Sequence, residues 1–472
     1  MNKISFVFAT VLLFSACRRD IENVDPKAPQ TAPAAALFTN AQRTLTNTVT
    51  TSSVNFNIFR LITQQWAQTT YTDESNYNLS TRNIPQNLWT AMYRDVLRDL
   101  EEAKRLATTQ ELDTAARSNQ VAITDVMQVY TWYYLVTTFG NIPYTEALDI
   151  NRTAPAYDDQ RTIFMDLLRR LNEDIAALNR NRTHSSFGTA DVVYGGDVDQ
   201  WIRFANSFKL KMGMTLADAE PAVAQAAAES AVAGGVFQSI EDNAQFQYLS
   251  APPNANPVWV DVVQSGRKDY VVASTLVNRL NALNDPRRSA YITTNAAGGH
   301  SGGTAGASNN YATFSKPGSA VTASNAPGML LSYSEIEFYL AEAAQRGYNV
   351  GGTAAQHYNN AVTASIMEWG GTEAQATTYL SQPGVAYDPV NWRQRIGEQK
   401  WIALYNRGWD AWIEQRRLDY PQLTAPATAL SAYPVRFTYP VTEQNLNRLN
   451  YEQASGAIGG DVVTTRLFWD KF

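Results

Sequence analysis

The stretch RIGEQKWIALYNRGWDAWIEQRRLDYP, residues 395–421, decides the fold class. Trp401 and Trp412 stand at helical spacing within it, and Arg416 and Arg417 close it, where cations complement the negative end of a helix dipole. Each buried aromatic covers about 150–250 Å², so tryptophans at this spacing read as a helix face turned to a core. The pattern recurs in GDVDQWIRFANSFKLKMGM (196–214), through Trp201, Phe204, Ala205, Phe208 and Met212. There Asp199 is expected to cap a helix starting near Gln200.

Working outward, PQNLWTAMYRDVLRDLEEAKRLA (85–107) repeats Leu88, Met92, Val96, Leu97 and Leu100 at helical spacing, with Pro85 in a first turn. TDVMQVYTWYYLVTTFGNIP (124–143) follows, with Thr124 or Asp125 as the expected cap, Gly140 as the stop and Pro143 beyond it. Ile163, Leu167, Leu171 and Ile175 mark another helix. In SYSEIEFYLAEAAQRG (332–347), Ser334 with Glu337 fits a capping box and Gly347 a terminus. AAQHYNNAVTASIMEW (354–369) adds one more helix. From Ala244 to about Gly328 the period fails, apart from a run near Ser274–Leu283, and prolines interrupt the chain. The expected fold is mostly α, built of antiparallel helix pairs, with a large loop-rich region. No fixed 34-residue repeat is discernible.

The composition narrows the function. Lys and Arg number 38 against 44 Asp and Glu, giving a net charge of −6, and no basic block marks a nucleic-acid footprint. Only 17% of residues are charged, below the usual quarter, while Tyr numbers 24 and Trp 11. A neutral polar surface rich in aromatics suits uncharged, hydroxylated ligands, and equally a large aromatic core.

Catalytic motifs do not assemble. GHSGG (299–303) matches a nucleophile elbow around Ser301, but TNAA before it and TAGASNN after it supply neither the strand nor the helix that an elbow needs. AAGGHSGGTAGASNN (296–310) reads instead as a flexible loop. His184, His300 and His357 lack a second ligand at metal spacing and read as exposed polar residues, and no phosphate-binding glycine motif occurs. No cofactor, metal or catalytic residue is expected. Candidate ligand residues are Tyr71, Asp73 and Tyr77 in YTDESNYNLSTRNIP (71–85), with Trp259, Tyr270, Tyr291 and Tyr311 in the middle segment. A ring on a loop offers an apolar face to the C–H face of a sugar, and nearby Asn and Asp side chains pair its hydroxyls.

Cys17 is the only cysteine of 472 residues, so no internal disulfide forms. Lys3, the apolar run Ile4–Phe14 and the small pair Ser15–Ala16 precede it in a secretory layout, too short to span a bilayer. The pattern resembles the lipobox of bacterial lipoproteins, with Phe14 in place of the usual Leu. That resemblance implies lipidation of Cys17 after removal of residues 1–16, with stable anchoring from more than one acyl chain. Residues 17–36, with Pro26, Pro29 and Pro33, then read as a tether reaching roughly 50–60 Å if extended.

Seven stretches taken in order resemble the SusD/RagB-like outer-membrane lipoproteins: QQWAQTTYTDESNY (64–77), FGNIPYTEAL (139–148), GDVDQWIRFANSFKLKMGM, SEIEFYLAEA (334–343), the 395–421 block, RFTYPVTEQNLN (436–447) and TRLFWD (465–470). Asp410 stands where Glu is common, and Leu418-Asp419 replaces Thr-Gly before Tyr420. The resemblance implies a core of TPR-like helix pairs in residues 37–243, a ligand-binding insertion in 244–328, and a C-terminal helical part in 329–472 that completes one domain. It further implies a surface lipoprotein of the outer membrane, a SusC-like TonB-dependent transporter barrel as partner, and import of oligosaccharides, or of peptides in some branches, without catalysis. A surface hydrolase using Ser301 and a helical scaffold without a small ligand are the competing classes.

Overall fold

A computed structural model describes residues 32–472. The expected signal peptide, Cys17 and most of the tether lie outside the described residues. Helix α1 (Ala34–Thr50) begins the compact unit Ala34–Phe472. After strand β1 (Trp66–Gln68), α2 (Ile84–Thr90) passes through a π-helical segment, Ala91–Leu97, into α3 (Arg98–Gln110). Then come α4 (Thr114–Phe139), β2 (Ile142–Pro143), β3 (Tyr157–Asp158), α5 (Gln160–Arg180), α6 (Val198–Thr215) and α7 (Pro221–Gly234). The middle of the chain holds β4 (Ala244–Phe246), β5 (Tyr270–Val272), α8 (Ser274–Ala282) and β6 (Gly328–Leu331). The chain closes through α9 (Tyr333–Gln345), α10 (Ala354–Glu368), α11 (Trp392–Ala403) and α12 (Gly408–Leu418), followed by shorter helices.

The helices pack in sequence, α1 on α3, α3 on α4 and so on to α7, while α9 joins α6, α10 and α11. Short connections such as Glu111–Asp113 turn each helix back on its predecessor. This is the mostly α, TPR-like arrangement of helix pairs. The strands form three separate antiparallel ribbons: β1 with β5, β2 with β3, and β4 with β6. On β1 and β5, Trp66 faces Val272 and Gln68 faces Tyr270.

Helix α4 is the axis of the core. From Ala122 to Phe139 every residue is buried, so this stretch of the helix has no solvent face. Its buried hydroxyls bond back into the helix, Thr131 to the Met127 carbonyl and Thr137 to that of Tyr133. The short helix Phe59–Ile62 meets α12 at close range: Phe59 stacks on Trp409 at 4.7 Å, and a Cβ on Gly408 would lie 2.4 Å from the Arg60 nitrogen. Only glycine lets the two backbones approach so closely.

Several caps differ from expectation. Asp113, not Thr124 or Asp125, caps α4, accepting from the backbone of Ala115 and Ala116 at 2.8 and 2.9 Å. The helix starts earlier because its first turns, TAARSNQ, are polar where it emerges. Asp125 is interior and pairs with Lys104 and Arg170. Asp197 caps α6 in place of Asp199, which pairs with Arg182. Ser332 caps α9 in place of Ser334, accepting from the Glu335 amide. In each case the capping side chain lies outside the apolar repeat by more residues than the repeat alone suggests.

The arginines ending the 395–421 block serve the core more than the helix dipole. Arg417 reaches Glu342 at 2.6 Å and Glu414 at 2.7 Å; Arg416 lies 3.4 Å over the Trp412 ring and donates to the carbonyls of Thr137 and Val435. Arg417 belongs to a buried seam of charge. Lys211 of α6 pairs with Asp410 at 2.5 Å and Glu335 at 2.9 Å, and Arg407 pairs with the same two carboxylates. Lys400 pairs with Glu414 at 2.8 Å, while Arg346 and Arg393 clamp Asp218 at 2.9 Å each. Burial alone would raise Glu414 and Asp218, but their cationic partners override it, holding Glu414 well below the carboxylate range and Asp218 at about 2.

Removing one partner strands a charge in the interior at a cost of about 3–5 kcal/mol. Lys211→Met is therefore expected to lose that much in urea unfolding, and Lys211→Met with Asp410→Leu to recover more than half, leaving Arg407 with Glu335. Carboxylates depressed in the folded state contribute stability above about pH 4, which is lost as pH falls toward 2. An unfolding midpoint that stays constant from pH 5 to pH 2.5 would contradict the seam.

Candidate functional site

The sequence QQWAQTTYTDESNY builds a lip at one end of the β1–β5 ribbon. Gln68, the last residue of β1, reaches across the following turn. Its Oε1 accepts from the Ser75 amide and hydroxyl at 3.0 and 2.7 Å, and its Nε2 donates to buried Glu74 at 2.6 Å. Arg82 neutralises Glu74 from outside. Asn76 then ties three segments together. Its Nδ2 donates to the carbonyls of Thr72 and Gly306, its Oδ1 accepts from Thr428, and its carbonyl accepts from the Leu430 amide.

With the turn so fixed, Tyr71 projects at 67% exposure and Asp73 is exposed beside it. A recess of about 20 Å³, room for a single water, lies between Val54, Thr70, Tyr71, Arg82, Arg267 and Asp269. Tyr311 is half-buried, with the ammonium groups of Lys316 and Lys268 at 5.0 and 5.9 Å from its ring centre. Tyr311 and Phe314 pack on Ala67, Val271 and Ala273, the outer face of the ribbon. Both therefore stand on the same ribbon that carries Tyr71.

Trp259 is half-buried in the helical turn Pro257–Trp259, which runs into a π-helical segment, Val260–Gln264. Asp261 fastens that segment to the end of α1, accepting from the Thr51 hydroxyl at 2.8 Å and the Ser52 amide at 3.0 Å. Next to it runs an open groove of about 650 Å³, lined by Thr and Asn side chains of α1 and α2 together with Asn55, Phe56 and Pro257. Val54 lines the recess, and the next two residues line the groove, so one loop borders both. Apart from Arg94 and Asp95, which pair with each other at 2.6 Å, the groove presents neutral hydrogen-bonding groups and one aromatic ring, which suits a hydroxylated chain better than an ion.

The other candidate aromatics lie beneath this surface. Tyr77 is buried edge-on against Tyr433, at 6.2 Å. Tyr270 is buried against Trp66 and donates to the Ser52 carbonyl at 2.7 Å. Tyr291 is fully buried, stacked on Tyr405 at 4.4 Å and donating to the Ile402 carbonyl. In this structure these three pin loops to the helices. The structure thus brings Tyr71, Asp73 and Tyr311 to one ribbon and puts Trp259 in the helical turn whose first residue, Pro257, lines the groove. Asn55, Phe56 and Lys268 were not singled out from sequence; the polar–aromatic run SSVNFNI is the only signal that could have flagged the first two.

The glycine-rich segment departs from the flexible loop expected of it. Gly303 pairs with Ala273 as an isolated parallel bridge, and Ser301 and Ser315 bond to one another's backbone beside β5. A Cβ on Gly302 would lie 2.5 Å from the Ala273 backbone. Small residues here permit close packing. Ser301 Oγ accepts from Asn295 Nδ2 at 2.8 Å, and its flanks form neither the strand nor the helix of a nucleophile elbow. Among the described residues, no group of three or more His, Cys, Asp and Glu side chains is arranged to hold a metal. His357, expected to be exposed, is partly buried, with Nδ1 2.7 Å from Glu337 and Nε2 2.8 Å from the Gly351 carbonyl. No described helix is long and apolar enough to cross a membrane.

Substitution separates packed from open glycines. Gly302→Ala is expected to cost about 1–3 kcal/mol because the added methyl meets backbone, whereas Gly299→Ala, with nothing closer than 3.9 Å, stays within about 0.5 kcal/mol. Thermal unfolding of the two variants checks this; equal midpoints would restore the flexible loop.

Comparison with known proteins agrees with this architecture. No curated protein matches the chain. Among solved structures, a chitin-binding protein superposes with a TM-score of 0.82 at 24% identity, covering 93% of this chain and 100% of its own. A SusD homologue from Bacteroides thetaiotaomicron gives 0.78 at 25% identity, covering 94% and 100%. A chitin-binding SusD homologue from Flavobacterium johnsoniae gives 0.79 at 22%, covering 92% and 98%. The model of the SusD-like family described as starch-binding and associating with the outer membrane matches residues 26–440, and the chain therefore belongs to that family.

Proposed function

We propose that this protein is a non-catalytic, surface-exposed lipoprotein that captures oligosaccharides and passes them to a TonB-dependent transporter barrel of the SusC type. The family match across residues 26–440 carries this reading. The residues proposed to hold the ligand are Tyr71, Asp73 and Tyr311 at the ribbon end, with Trp259, Asn55 and Phe56 along the adjoining groove. Tyr71 offers an uncovered aromatic face to a sugar ring, and the Thr and Asn side chains pair hydroxyls without demanding charge. The chitin-binding descriptions of two structural neighbours support a glycan over a peptide. The anchor proposed is the lipidated Cys17, at the outer membrane.

Calorimetric titration of the protein with chito- and malto-oligosaccharides tests the ligand class, with product analysis of the same mixtures. Tyr71→Ala and Tyr311→Ala are each expected to weaken binding about five- to tenfold, since a stacked aromatic contributes roughly 1 kcal/mol or more. Tyr291→Phe should leave affinity unchanged. Binding indifferent to both ribbon-end variants would remove the site, and turnover lost in Ser301→Ala would overturn the non-catalytic reading.

A further inference from the structure

A second cavity, of about 380 Å³, shares no lining residue with the recess or the groove. It opens between the β4–β6 ribbon, the C-terminal end of α10 and the turn joining α11 to α12. Trp369 and Tyr405 form an apolar wall held rigid from behind by Tyr291, 4.6 Å from Trp369 and 4.4 Å from Tyr405. Tyr405 Oη accepts from Trp66 Nε1 at 3.1 Å, which fixes that ring further.

The lining also carries polar groups that the fold does not use up. The side-chain amide of Gln245 has no hydrogen-bond partner among the described residues. Asn406 accepts from Arg60 through Oδ1 and leaves its Nδ2 unpaired within the described chain. Arg407, also on the lining, keeps a buried Nε–H without a partner. The charge of Arg407, by contrast, is spent internally. Arg407 faces Glu335 and Asp410 at 2.6 and 2.7 Å, and Glu368 accepts from Asn243 at 2.8 Å and Ser334 at 3.0 Å. Glu368 has no cationic partner, but burial raises its carboxyl above the usual range and so disfavours its charge, which leaves the cavity better matched to a neutral guest. A neutral molecule with one apolar face and a rim of hydroxyl or amide groups matches both halves of the lining. The volume falls near the lower bound for small-molecule sites, which run from about 300 to 1,000 Å³.

We infer that this cavity is a separate binding site for a single hydroxylated ring, a monosaccharide unit, seated on Trp369 and Tyr405 and hydrogen-bonded by Gln245 and Asn406. The site shares no lining residue with the ribbon-end recess and shares with that surface the class of ligand.

The test uses the full chain carrying Tyr71→Ala, so that the ribbon-end surface contributes little, with N-acetyl-D-glucosamine and D-glucose as probes. Saturation-transfer NMR and calorimetry are expected to show one saturable site. Gln245→Ala should weaken it about tenfold, the worth of a lost hydrogen bond. Ala320→Trp, which places bulk on an exposed lining position, should abolish it while circular dichroism stays unchanged. Absence of saturation by both sugars overturns the inference, as does binding indifferent to Ala320→Trp, or capture of glycylglycine at this site in place of sugar. In the parent protein, oligosaccharide binding that persists while these monosaccharide signals are absent sinks the cavity alone. Monosaccharide binding blocked by Ala320→Trp, without any Tyr71-dependent oligosaccharide binding, sinks the ribbon-end reading alone.

Discussion

The ammonium of Lys211 sits in a dry interior, its side chain without solvent contact. Burial by itself would drive such a group to neutrality. Asp410 and Glu335 reverse that tendency and hold it above the ordinary lysine range. Because both carboxylates are shared with Arg407, each charge has more than one opposite neighbour; the Tyr339 hydroxyl, against both Glu335 and Glu414, links this group to a second one running through Lys400, Glu414, Arg417 and Glu342 to Arg346 and Asp218. Apolar side chains tolerate slippage; these pairs do not. The seam fixes the register of α6, α9, α11 and α12 against one another, and Tyr134 brings α4 into it through its bond to Asp410.

That rigid frame is what allows irregular chain to carry exposed aromatic rings. Tyr71 gains nothing from its own packing, yet the turn behind it is held by Gln68, Glu74 and Asn76, all buried. The recess and the groove meet at Val54–Phe56, in the loop between α1 and the Phe59–Ile62 helix, whose Arg60 donates to the carbonyls of Thr50 and Thr51 at 2.6 and 2.7 Å. Ordered backbone in this region reduces the entropy that a ligand must otherwise spend on arranging it.

The helices were legible because apolar period survives wherever one face meets the core, as at Leu88–Leu100 and Trp201–Met212. Boundaries were less so. Asp113 lies three turns before the apolar run of α4, and nothing periodic connects them. The buried seam was written at helical spacing in Asp410, Glu414 and Arg417, but a charge run on a helix reads equally well as a solvated face. Distinguishing the two needs the partner residues, which lie some 70 to 200 positions away. The same limit applies to tyrosines. Tyr71, Tyr77, Tyr270 and Tyr291 all sit in aperiodic stretches, and only the tertiary fold separates the exposed ring from the three buried ones. Composition around Gly302 suggested looseness where the backbone approach demands tightness.

The seam also has a direction in time. Lys211 emerges from the ribosome about 200 residues before Asp410, and Tyr134 about 276 before it. Until Arg407 and Asp410 exist, Lys211 has only Tyr134 and then Glu335 to face, so the buried charge of α6 lacks its full set of partners. Contacts of such sequence separation must close late and together. A chain arranged this way completes its charge seam only once nearly all of it has been made.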